Sequence, residues 1–454
     1  MPKKKTALTI EERLQQALVP AEEQPYEVPE NWVWVRLGSL YEVNPKNKAA
    51  DELDAAFIPM EKISAGMLSE YSYETQEWCK AKKGHTQFAD GDVAFAKISP
   101  CFENRKSMML NNLPNSIGGG TTELIILRNA SINQKYTFWL VSDERFIRGG
   151  VQTYSGTVGQ QRINMDYVRS YPIPLPPLSE QQRIVERIEE LFAKLDEAKE
   201  RLQEVADSFA VRKAAILHKA FTGELTKQWR LENGVSDESW EESNFGKFTV
   251  SQYGYTEKAH WEKIGPKFLR ITDIQDNKVD WDEVPWCPID EDGMKQYAVE
   301  IGDIMIARTG ATTGKSYLIC DDVEAVFASF LIRLKVVNKN LDYNYLYGYM
   351  QSEDYWRQIT DFSSGIAQPG VNASKLKQIK FKCPTLSEQH EIVRLIDDLL
   401  ARERAAQQAA EQALASIDLM KKSILARAFR GELGTNKASD ASALELLRLL
   451  KFQP

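Results

Sequence analysis

The chain has few of the residues that build metal centres and disulfide frameworks. Its 454 residues include only five cysteines and four histidines. The cysteines lie far apart and form no C-x-x-C pair, which argues against a zinc ribbon and against a disulfide framework. No two histidines have the spacing of a metal-binding pair. These features disfavour metal-centred hydrolysis and predict a reducing, cytoplasmic environment.

Long hydrophobic runs are also missing from the sequence. None approaches the roughly 18 consecutive apolar residues that a membrane helix needs, so we expect no membrane partner. The N-terminal Met-Pro-Lys-Lys-Lys stretch is not followed by an apolar core with a cleavage site, so we expect no secretory signal. The composition, 43% hydrophobic and 27% charged, is that of a soluble globular protein. The length predicts two to four domains.

Acidic residues outnumber basic residues by 65 to 57, which gives a formal net charge of −8. This average is not typical of a nucleic-acid-binding protein, but the charge is unevenly distributed. Residues 80–170 contain twelve lysines and arginines and seven acidic residues, a local excess of five positive charges. A basic region within an acidic chain fits a phosphate-binding surface. A solvated surface without a partner fits the charge equally well.

An internal repeat organises the sequence. Two motifs recur at an offset of 208 residues, Leu178-Ser-Glu-Gln181 as Leu386-Ser-Glu-Gln389 and Ala220-Phe-Thr-Gly-Glu-Leu225 as Ala428-Phe-Arg-Gly-Glu-Leu433. The segments 178–225 and 386–433 align without gaps and are identical at 19 of 48 positions. The same offset relates Glu30-Asn-Trp32 to Glu238-Ser-Trp240. The sequence is therefore a duplication of a block followed by a similar segment.

Both repeated segments have the periodicity of long helices. In the first, apolar residues between positions 184 and 216 follow steps of three and four, with Arg212 at one position of this seam. The second follows the same frame between 392 and 424, with Glu403 at a seam position and alanines in the middle. This heptad pattern predicts two coiled-coil helices that pack on each other as structural spacers.

The blocks that precede these helices are predicted to be mixed α and β. Short apolar segments predict strands in both blocks, at 92–96, 123–127, 302–308 and 328–334. The segment Asn115–Thr122 has the composition of a turn. In each block a basic residue, Lys97 or Arg308, follows the strand that begins after Gly-Asp. The fold class predicted for the whole chain is α+β.

The duplication divides the chain into seven parts. We expect an N-terminal segment at 1–29, a first block at 30–177, a first helix at 178–225, a linker at 226–235, a second block at 236–384, a second helix at 385–433 and a C-terminal tail at 434–454.

One segment has the appearance of a catalytic motif. Gly310-Ala-Thr-Thr-Gly-Lys-Ser316 is similar to a phosphate-binding P-loop, but Thr309 stands where that motif requires glycine. The residues after Ser316 predict a strand, whereas a P-loop is followed by a helix. Lys315 and the hydroxyl groups of this loop remain suitable ligands for a phosphodiester. The sequence also lacks the Asn/Asp-Pro-Pro-aromatic motif of adenine methyltransferases, so we expect no catalysis by this chain.

The duplicated organisation resembles the DNA-specificity subunit of type I restriction–modification enzymes. The resemblance spans about residues 25–434 and is carried by the repeated helix starts and helix ends, by Pro172-Ile-Pro-Leu-Pro-Pro177 and by Pro29-Glu-Asn-Trp32. It implies that the blocks 30–177 and 236–384 are target-recognition domains that each read one half of a split DNA site. It also implies two long antiparallel helices that hold these domains at a fixed separation, with pseudo-two-fold symmetry.

The same resemblance implies the partners. Two modification subunits would dock around the helices, and restriction subunits with translocase activity would join the larger complex on double-stranded DNA. S-adenosylmethionine, ATP and Mg would then be bound by those partners, and this chain would hold no cofactor and no metal. The chain itself would be a non-catalytic specificity subunit.

Residues that could contact DNA are the basic, hydroxyl and amide side chains of the polar loops, since lysine and arginine position the backbone and arginine, glutamine or asparagine read base edges. The candidates in the first block are Lys97, Asn104, Arg105, Lys106, Thr121, Ser155, Thr157, Gln160, Gln161 and Arg162. The candidates in the second block are Lys267, Arg270, Arg308, Thr312, Thr313, Lys315, Ser363, Ser364 and Gln368.

Two other classes of function remain open from the sequence. One is an enzyme that uses the P-loop-like segment, which nucleotide binding by the isolated chain would support. The other is a coiled-coil scaffold whose domains bind proteins or glycans, although the basic region and the polar loops tell against it. For Arg308 alone, the alternative to DNA contact is an ion pair with a neighbour such as Asp303.

Overall fold

The computed structural model describes residues 9–275, 277–363 and 370–452. It divides into two compact units. Residues up to Arg201 and those from Ala413 onward form the first unit, and Leu202–Gln412 form the second. The long repeated helices contribute to both units, whereas each block belongs to one unit.

The α-helices in chain order are α1 Ile10–Ala17, α2 Leu37–Leu40, α3 Trp78–Ala81, α4 Gln134–Ser142, α5 Glu144–Val151, α6 Met165–Ser170, α7 Leu178–Asp207, α8 Phe209–Phe221, α9 Lys227–Asn233, α10 Phe245–Phe248, α11 Glu291–Tyr297, α12 Tyr343–Tyr349, α13 Glu353–Ser363, α14 Ala373–Gln378, α15 Leu386–Ala428 and α16 Ala443–Phe452. The strands are β1 Val33–Arg36, β2 Glu42–Val43, β3 Asp54–Ile58, β4 Glu74–Glu77, β5 Thr86–Ala89, β6 Val93–Ala96, β7 Ser107–Met109, β8 Ile117–Gly120, β9 Leu124–Arg128, β10 Pro172–Leu175, β11 Glu241–Asn244, β12 Thr249–Tyr253, β13 Lys267–Leu269, β14 Ile274–Gln275, β15 Lys278–Val279, β16 Ile304–Ala307, β17 Ser316–Leu318, β18 Ala325–Phe327, β19 Leu331–Val336 and β20 Lys380–Cys383.

The block of the first unit is built on two four-stranded sheets. One has the order β2-β9-β6-β7 and is antiparallel, and the other has the order β4-β3-β8-β5, in which β3 and β8 are parallel. Strands β1 and β10 pair antiparallel, so hydrogen bonds join the beginning and the end of the block. The segment Asn115–Thr122, predicted as a turn, contains the buried strand β8, so this prediction was wrong.

The block of the second unit repeats this topology. Its main sheet has the order β12-β19-β16-β17, β13 pairs parallel with β18, and β11 pairs antiparallel with β20. These pairings correspond to β2-β9-β6-β7, β3-β8 and β1-β10 of the first unit. The predicted α+β fold with an internal duplication is therefore confirmed, and the duplication includes the blocks, whose sequences share little.

The central strands are buried on both faces. In β6, Val93 and Phe95 pack into one hydrophobic cluster and Ala94 into another, because successive side chains of a strand point to opposite faces. In β16, Ile304 and Met305 divide between two clusters in the same way. Continuous apolar runs in these strands follow from this double burial.

The terminal segments belong to the core of the first unit. Helices α1 and α16 supply Leu14, Ala17, Ala443 and Leu447 to one hydrophobic cluster. The segment 434–454, expected to be a tail, therefore contains a packed helix, because apolar residues four positions apart give it a buried face.

The segment 226–235 was expected to be a linker and instead contains α9. The side chain of Arg230 in this helix is only 8% exposed and forms an ion pair with Glu388. A buried charge pair fixes this short helix in the core of its unit, which a composition-based linker assignment cannot detect.

The first repeated helix is interrupted where the sequence predicts continuity. Helix α7 ends at Asp207 and α8 begins at Phe209. The Val205 carbonyl oxygen accepts hydrogen bonds from the Ser208 hydroxyl and from Arg212 Nη2, both at 3.1 Å. These side chains compete with the helical N–H donor and account for the break.

The helices also end earlier than expected, at Phe221 and Ala428. Gly223 and Gly431 follow in the left-handed conformation, with φ of 81° and 75°. Both glycines lie just beyond the last helical turn, the usual position for a residue that reverses the chain.

Within each unit the repeated helices run antiparallel. In the first unit Asp196 of α7 bonds Lys421 of α15 at 2.6 Å. In the second unit Arg212 of α8 forms an ion pair with Glu403 of α15. The two polar residues of the predicted seams therefore pair with each other.

We expect the Arg212–Glu403 pair to specify helix register more than stability. Reversing the charge in Arg212→Glu should lower the melting temperature, because two carboxylates would then face each other, and adding Glu403→Arg should restore it. In a double-mutant cycle with alanine the coupling energy should be about 1 kcal/mol or less, since both side chains are partly exposed. A double reversal no more stable than the single reversal would contradict direct pairing.

The repeated Leu-Ser-Glu-Gln motif fastens each block to its helix. Glu180 is fully buried and accepts hydrogen bonds at 2.7 Å from Trp32 Nε1 and from Asn436 Nδ2. Gln181 is also fully buried, and its amide bonds the Asn133 N–H and the Pro176 carbonyl oxygen, both at 3.0 Å.

The second copy keeps the equivalent tryptophan donor and adds a charged donor, Arg230. Glu388 accepts from Arg230 Nη1 and Thr226 Oγ1, both at 2.6 Å, and from Trp240 Nε1 at 3.0 Å. Gln389 accepts from the Asp342 N–H at 2.8 Å. The identity of the motif in both copies follows from this shared structural role, which the sequence alone did not indicate.

Among the described residues, no helix combines the length and the apolar character needed to cross a lipid bilayer.

Candidate nucleic-acid interface

The aspartates of the two Gly-Asp motifs are buried and pair with arginines on the strands next to the central strands. Asp92 is buried and receives two hydrogen bonds of 2.7 Å from Arg128 on the adjacent strand, which raise the pKa of that arginine. Asp303 pairs with Arg333 at 3.3 Å, and burial raises the pKa of its carboxyl group. The suggested ion pair between Asp303 and Arg308 is therefore wrong, because Asp303 faces the neighbouring strand.

In the first unit, Lys97 lies where β6 leaves the sheet. Its N–H donates to the Glu123 carbonyl oxygen at 2.8 Å, and its own carbonyl oxygen accepts from the Ile163 N–H at 3.0 Å. These bonds bring the ends of three chain segments together. Thr121 lies in the turn that precedes β9, where its hydroxyl oxygen accepts from the Glu123 N–H at 3.3 Å.

In the second unit, Arg308 occupies the equivalent position after β16. Its N–H donates to the Phe330 carbonyl oxygen at 3.1 Å, and its carbonyl oxygen accepts from the Val371 N–H at 2.9 Å. The two blocks thus place one basic residue at the same point of the same scaffold. The surrounding side chains differ.

A protruding loop follows in the first unit. Backbone hydrogen bonds of 3.1 and 2.9 Å between Ser155 and Arg162 close the loop. Val158 at its tip is 90% exposed, and Ser155, Thr157 and Gln160 are exposed as well. This loop presents hydroxyl and amide groups to solvent.

Gln161 fixes the base of this loop. Its N–H donates to Ser99 Oγ at 3.1 Å, and its carbonyl oxygen accepts from the Ser99 N–H at 2.8 Å. The predicted candidates Lys97, Thr121 and Gln161 therefore lie around one loop base, although they are up to 64 positions apart in the sequence.

Several basic candidates of the first block are engaged by the protein itself. Arg162 forms a bidentate pair with Glu123, with distances of 2.9 and 2.8 Å. Lys106 Nζ donates to the Met60 carbonyl oxygen at 2.9 Å. Arg105 forms an ion pair with Glu144, and burial leaves its side chain only 11% exposed. Asn104 next to it remains exposed.

Two basic candidates of the second block are likewise engaged. Lys267 Nζ donates to the Val284 carbonyl oxygen at 2.8 Å and lies 3.8 Å from the centre of the Trp286 ring. Arg270 is bound to Asp273 through Nε at 3.1 Å and Nη2 at 2.6 Å. Their donors stabilise loops of this unit.

The P-loop-like segment does not have P-loop geometry. It forms a short turn at Gly310–Thr312, and the residues that follow it enter strand β17 as predicted. Thr313 is buried and its hydroxyl donates to the Gly310 carbonyl oxygen at 2.8 Å, whereas Lys315 is exposed and Thr312 is half-buried. Of these candidates, Lys315 is the one best placed for an anionic ligand.

The remaining candidates are Ser363, Ser364 and Gln368. Ser363 is the last residue of α13, and its side chain, Ser364 and Gln368 lie outside the described residues.

The basic candidates therefore fall into two groups: those whose side-chain donors bond other protein groups, and those whose donors do not. Within the described ranges, the terminal nitrogens of Lys97, Arg308 and Lys315 form neither a hydrogen bond nor an ion pair. Tyr253 and Phe330, which the sequence reasoning missed, surround Arg308. The sequence does not predict that these two rings are exposed, because aromatic residues in strands are usually part of the core.

Comparisons with known proteins agree with this architecture. The type I restriction modification DNA specificity domain matches twice, at residues 29–207 and 238–413. The type I restriction enzyme EcoAI specificity subunit of Escherichia coli is 27% identical over 470 residues, covering 84% of this chain and 80% of that protein. The EcoEI specificity subunit of Escherichia coli is 37% identical over 182 residues, covering 39% of this chain and 31% of that protein.

A solved structure shows the same fold. The HsdS subunit from Thermoanaerobacter tengcongensis superposes with a TM-score of 0.69 at 20% identity, over 90% of this chain and 99% of that one. Because the family model covers both copies of the duplication, the chain belongs to the type I restriction–modification DNA specificity family.

Proposed function

We propose that this chain is the subunit that reads a split DNA site for a type I restriction–modification complex, one half-site per unit. The observation that carries the proposal is the equivalence of Lys97 and Arg308. Both follow the central strand of a block that matches the specificity domain, and both have terminal nitrogens that no described residue binds.

The chemistry of the two loop regions suits duplex DNA. Lysines such as Lys97 and Lys315 suit phosphate groups, which position a protein on the duplex without selecting sequence. The amide and hydroxyl groups of the exposed loop 155–162 suit base edges, which carry sequence information in the major groove. The engaged residues, including Arg105, Arg162 and Arg270, shape these loops through their ion pairs with acidic residues of the protein.

The catalytic steps belong to partner subunits in this proposal. Two modification subunits bind the long helices and carry S-adenosylmethionine, and restriction subunits carry ATP and Mg. The chain itself supplies site selection, consistent with the absence of a catalytic sequence motif, and has no cofactor of its own.

Reconstitution of the full chain with its modification subunits tests the proposal. Methylation mapped across a genome should fall on a two-part sequence with an unspecified spacer, and substitutions in the second unit should change one part only. The purified chain alone should transfer no methyl group. A recognised sequence without a spacer, or methyl transfer by the isolated chain, would contradict the proposal.

Lys315 should contribute to binding without selecting sequence. In Lys315→Ala, affinity should fall alike for all duplexes, and the slope of log K against log salt should decrease by about one unit, because one phosphate contact is lost. Lys295→Ala is the matched control, since Lys295 is exposed in the same unit and pairs with Asp292. A change in base preference in Lys315→Ala would show that this residue reads sequence.

A further inference from the structure

The guanidinium of Arg308 lies close to two exposed aromatic rings of the second unit. Its guanidinium carbon lies 5.3 Å from the centre of the Tyr253 ring and 5.9 Å from that of Phe330. Tyr253 is 41% exposed and Phe330 is 56% exposed, so neither ring is a core side chain. Contact with ring faces restricts the guanidinium plane without using its in-plane N–H donors.

Other arginines near aromatic rings in this unit use their donors within the protein. Arg270 lies 5.7 Å from the Trp261 ring but is bound to Asp273. Arg333 lies 5.2 Å from the Phe327 ring and donates to Asp303. Arg308 differs, because its Nε is buried and has no hydrogen-bond partner among the described residues. A buried donor without an acceptor is costly, and a ligand that supplies one relieves that cost.

The corresponding position of the first unit lacks this arrangement. Lys97 replaces the arginine there, and Glu123 stands at the position equivalent to Phe330 and is bound to Arg162. A lysine ammonium has no planar fork, so it cannot form the two parallel hydrogen bonds that arginine forms. The two units therefore present different chemistry at one scaffold position.

We propose that Arg308 reads a guanine in the half-site of the second unit, and that Tyr253 and Phe330 are positioning residues that hold its planar fork. Guanine offers two adjacent acceptors, O6 and N7, in the major groove, and paired arginine donors match them. Fixing the side chain before binding lowers the entropy lost on forming the contact. This inference rests on the proposed function.

The test uses the reconstituted complex and duplexes in which each position of both half-sites is varied singly. Arg308→Lys keeps the charge and removes the fork, so discrimination at one G·C pair of one half-site should fall by about ten- to a hundredfold, with the salt slope unchanged. Tyr253→Leu and Phe330→Leu should weaken discrimination at the same pair, whereas Tyr253→Phe should preserve it. Arg357→Lys is the control, since Arg357 is exposed in the same unit and pairs with Asp354, and it should leave all positions unchanged.

The outcomes separate this inference from the proposed function. If Arg308→Lys keeps full discrimination while Arg308→Gln weakens all duplexes alike and lowers the salt slope, Arg308 is a phosphate contact and the proposal is wrong. If both leucine variants keep discrimination, the aromatic residues do not position it. If the proposed function itself were wrong, the result would differ: the wild-type complex would show no preference for a DNA sequence with two half-sites.

Discussion

Replacing Glu388 by alanine should lower the free energy of unfolding of the second unit by about 3–5 kcal/mol. Glu388 is fully buried and accepts from Arg230, whose side chain is 8% exposed, and from Thr226 and Trp240. Alanine would leave the Arg230 guanidinium buried, with the exposed Asp237 as its one remaining charged partner among the residues that the structure describes. Losing one member of a buried ion pair is costly because the remaining charge stays out of water. Denaturant unfolding of the full chain, followed by tryptophan fluorescence, measures the effect.

Glu391→Ala provides the matched control on the same helix. Glu391 pairs with Arg394 one turn away, and Arg394 is 62% exposed, so water can replace the lost contact. The control should change stability by less than about 1 kcal/mol. If the two substitutions lowered the free energy of unfolding equally, the burial of the Glu388–Arg230 pair would contribute no extra stability.

Glu180→Ala, the equivalent substitution in the first unit, should lower the free energy of unfolding by less than Glu388→Ala does. Glu180 accepts from neutral groups of Trp32 and Asn436, and no arginine in the described part of the chain is bound to it. Removing Glu180 leaves its neutral donors without an acceptor. Leaving such a buried donor unpaired typically destabilises a protein by about 1–3 kcal/mol. A larger effect of Glu180→Ala than of Glu388→Ala would contradict the importance of the buried charge.

The sequence predicted the parts of the fold that depend on local periodicity. The seam from 184 to 216 specifies long helices because apolar residues three and four apart form one stripe on a helix. The strands β6, β9, β16 and β19 follow from short apolar runs. The helix break at Ser208 was not predictable from periodicity. It depends on two side chains, Ser208 and Arg212, that both donate to the Val205 carbonyl oxygen.

The candidate site was predictable as a region and less so residue by residue. Counting charges found the basic region, but it could not show which charges the fold neutralises. Arg162 and its partner Glu123 are 39 positions apart, and Arg105 and Glu144 are equally distant in sequence. Only the tertiary structure brings these pairs together, which is why Lys97 and Arg308 could not be separated from them beforehand.

The glycine run of the first block is the clearest failure of local reasoning. Gly118, Gly119 and Gly120 suggested a turn, because glycine is depleted in strands. In the structure they form the inner strand β8, which α3 approaches closely. Glycine within a strand often marks such an approach by another backbone. The signal for a close contact was therefore present and was attributed to a turn.

Gly119→Ala should consequently destabilise the first unit by about 3 kcal/mol, near the upper end for overpacked sites. A Cβ atom at this position would lie 2.0 Å from the Ala81 carbonyl oxygen, which is backbone and cannot rotate away. Helix α3 would have to move, although Trp78 and Ala81 in it are fully buried. Thr122→Ala, at an exposed position two residues beyond β8, is the control and should change stability little.

The functional consequence should be confined to one half-site. Strand β8 belongs to the block that carries Lys97, so Gly119→Ala in the reconstituted complex should weaken discrimination in the half-site read by the first unit. The half-site assigned to Arg308 should keep its preference, because that residue lies in the other compact unit. Thermal unfolding and singly varied duplexes together measure both effects. A variant with wild-type melting and wild-type selectivity would show that α3 can yield to the added methyl group, contrary to the close packing described for it.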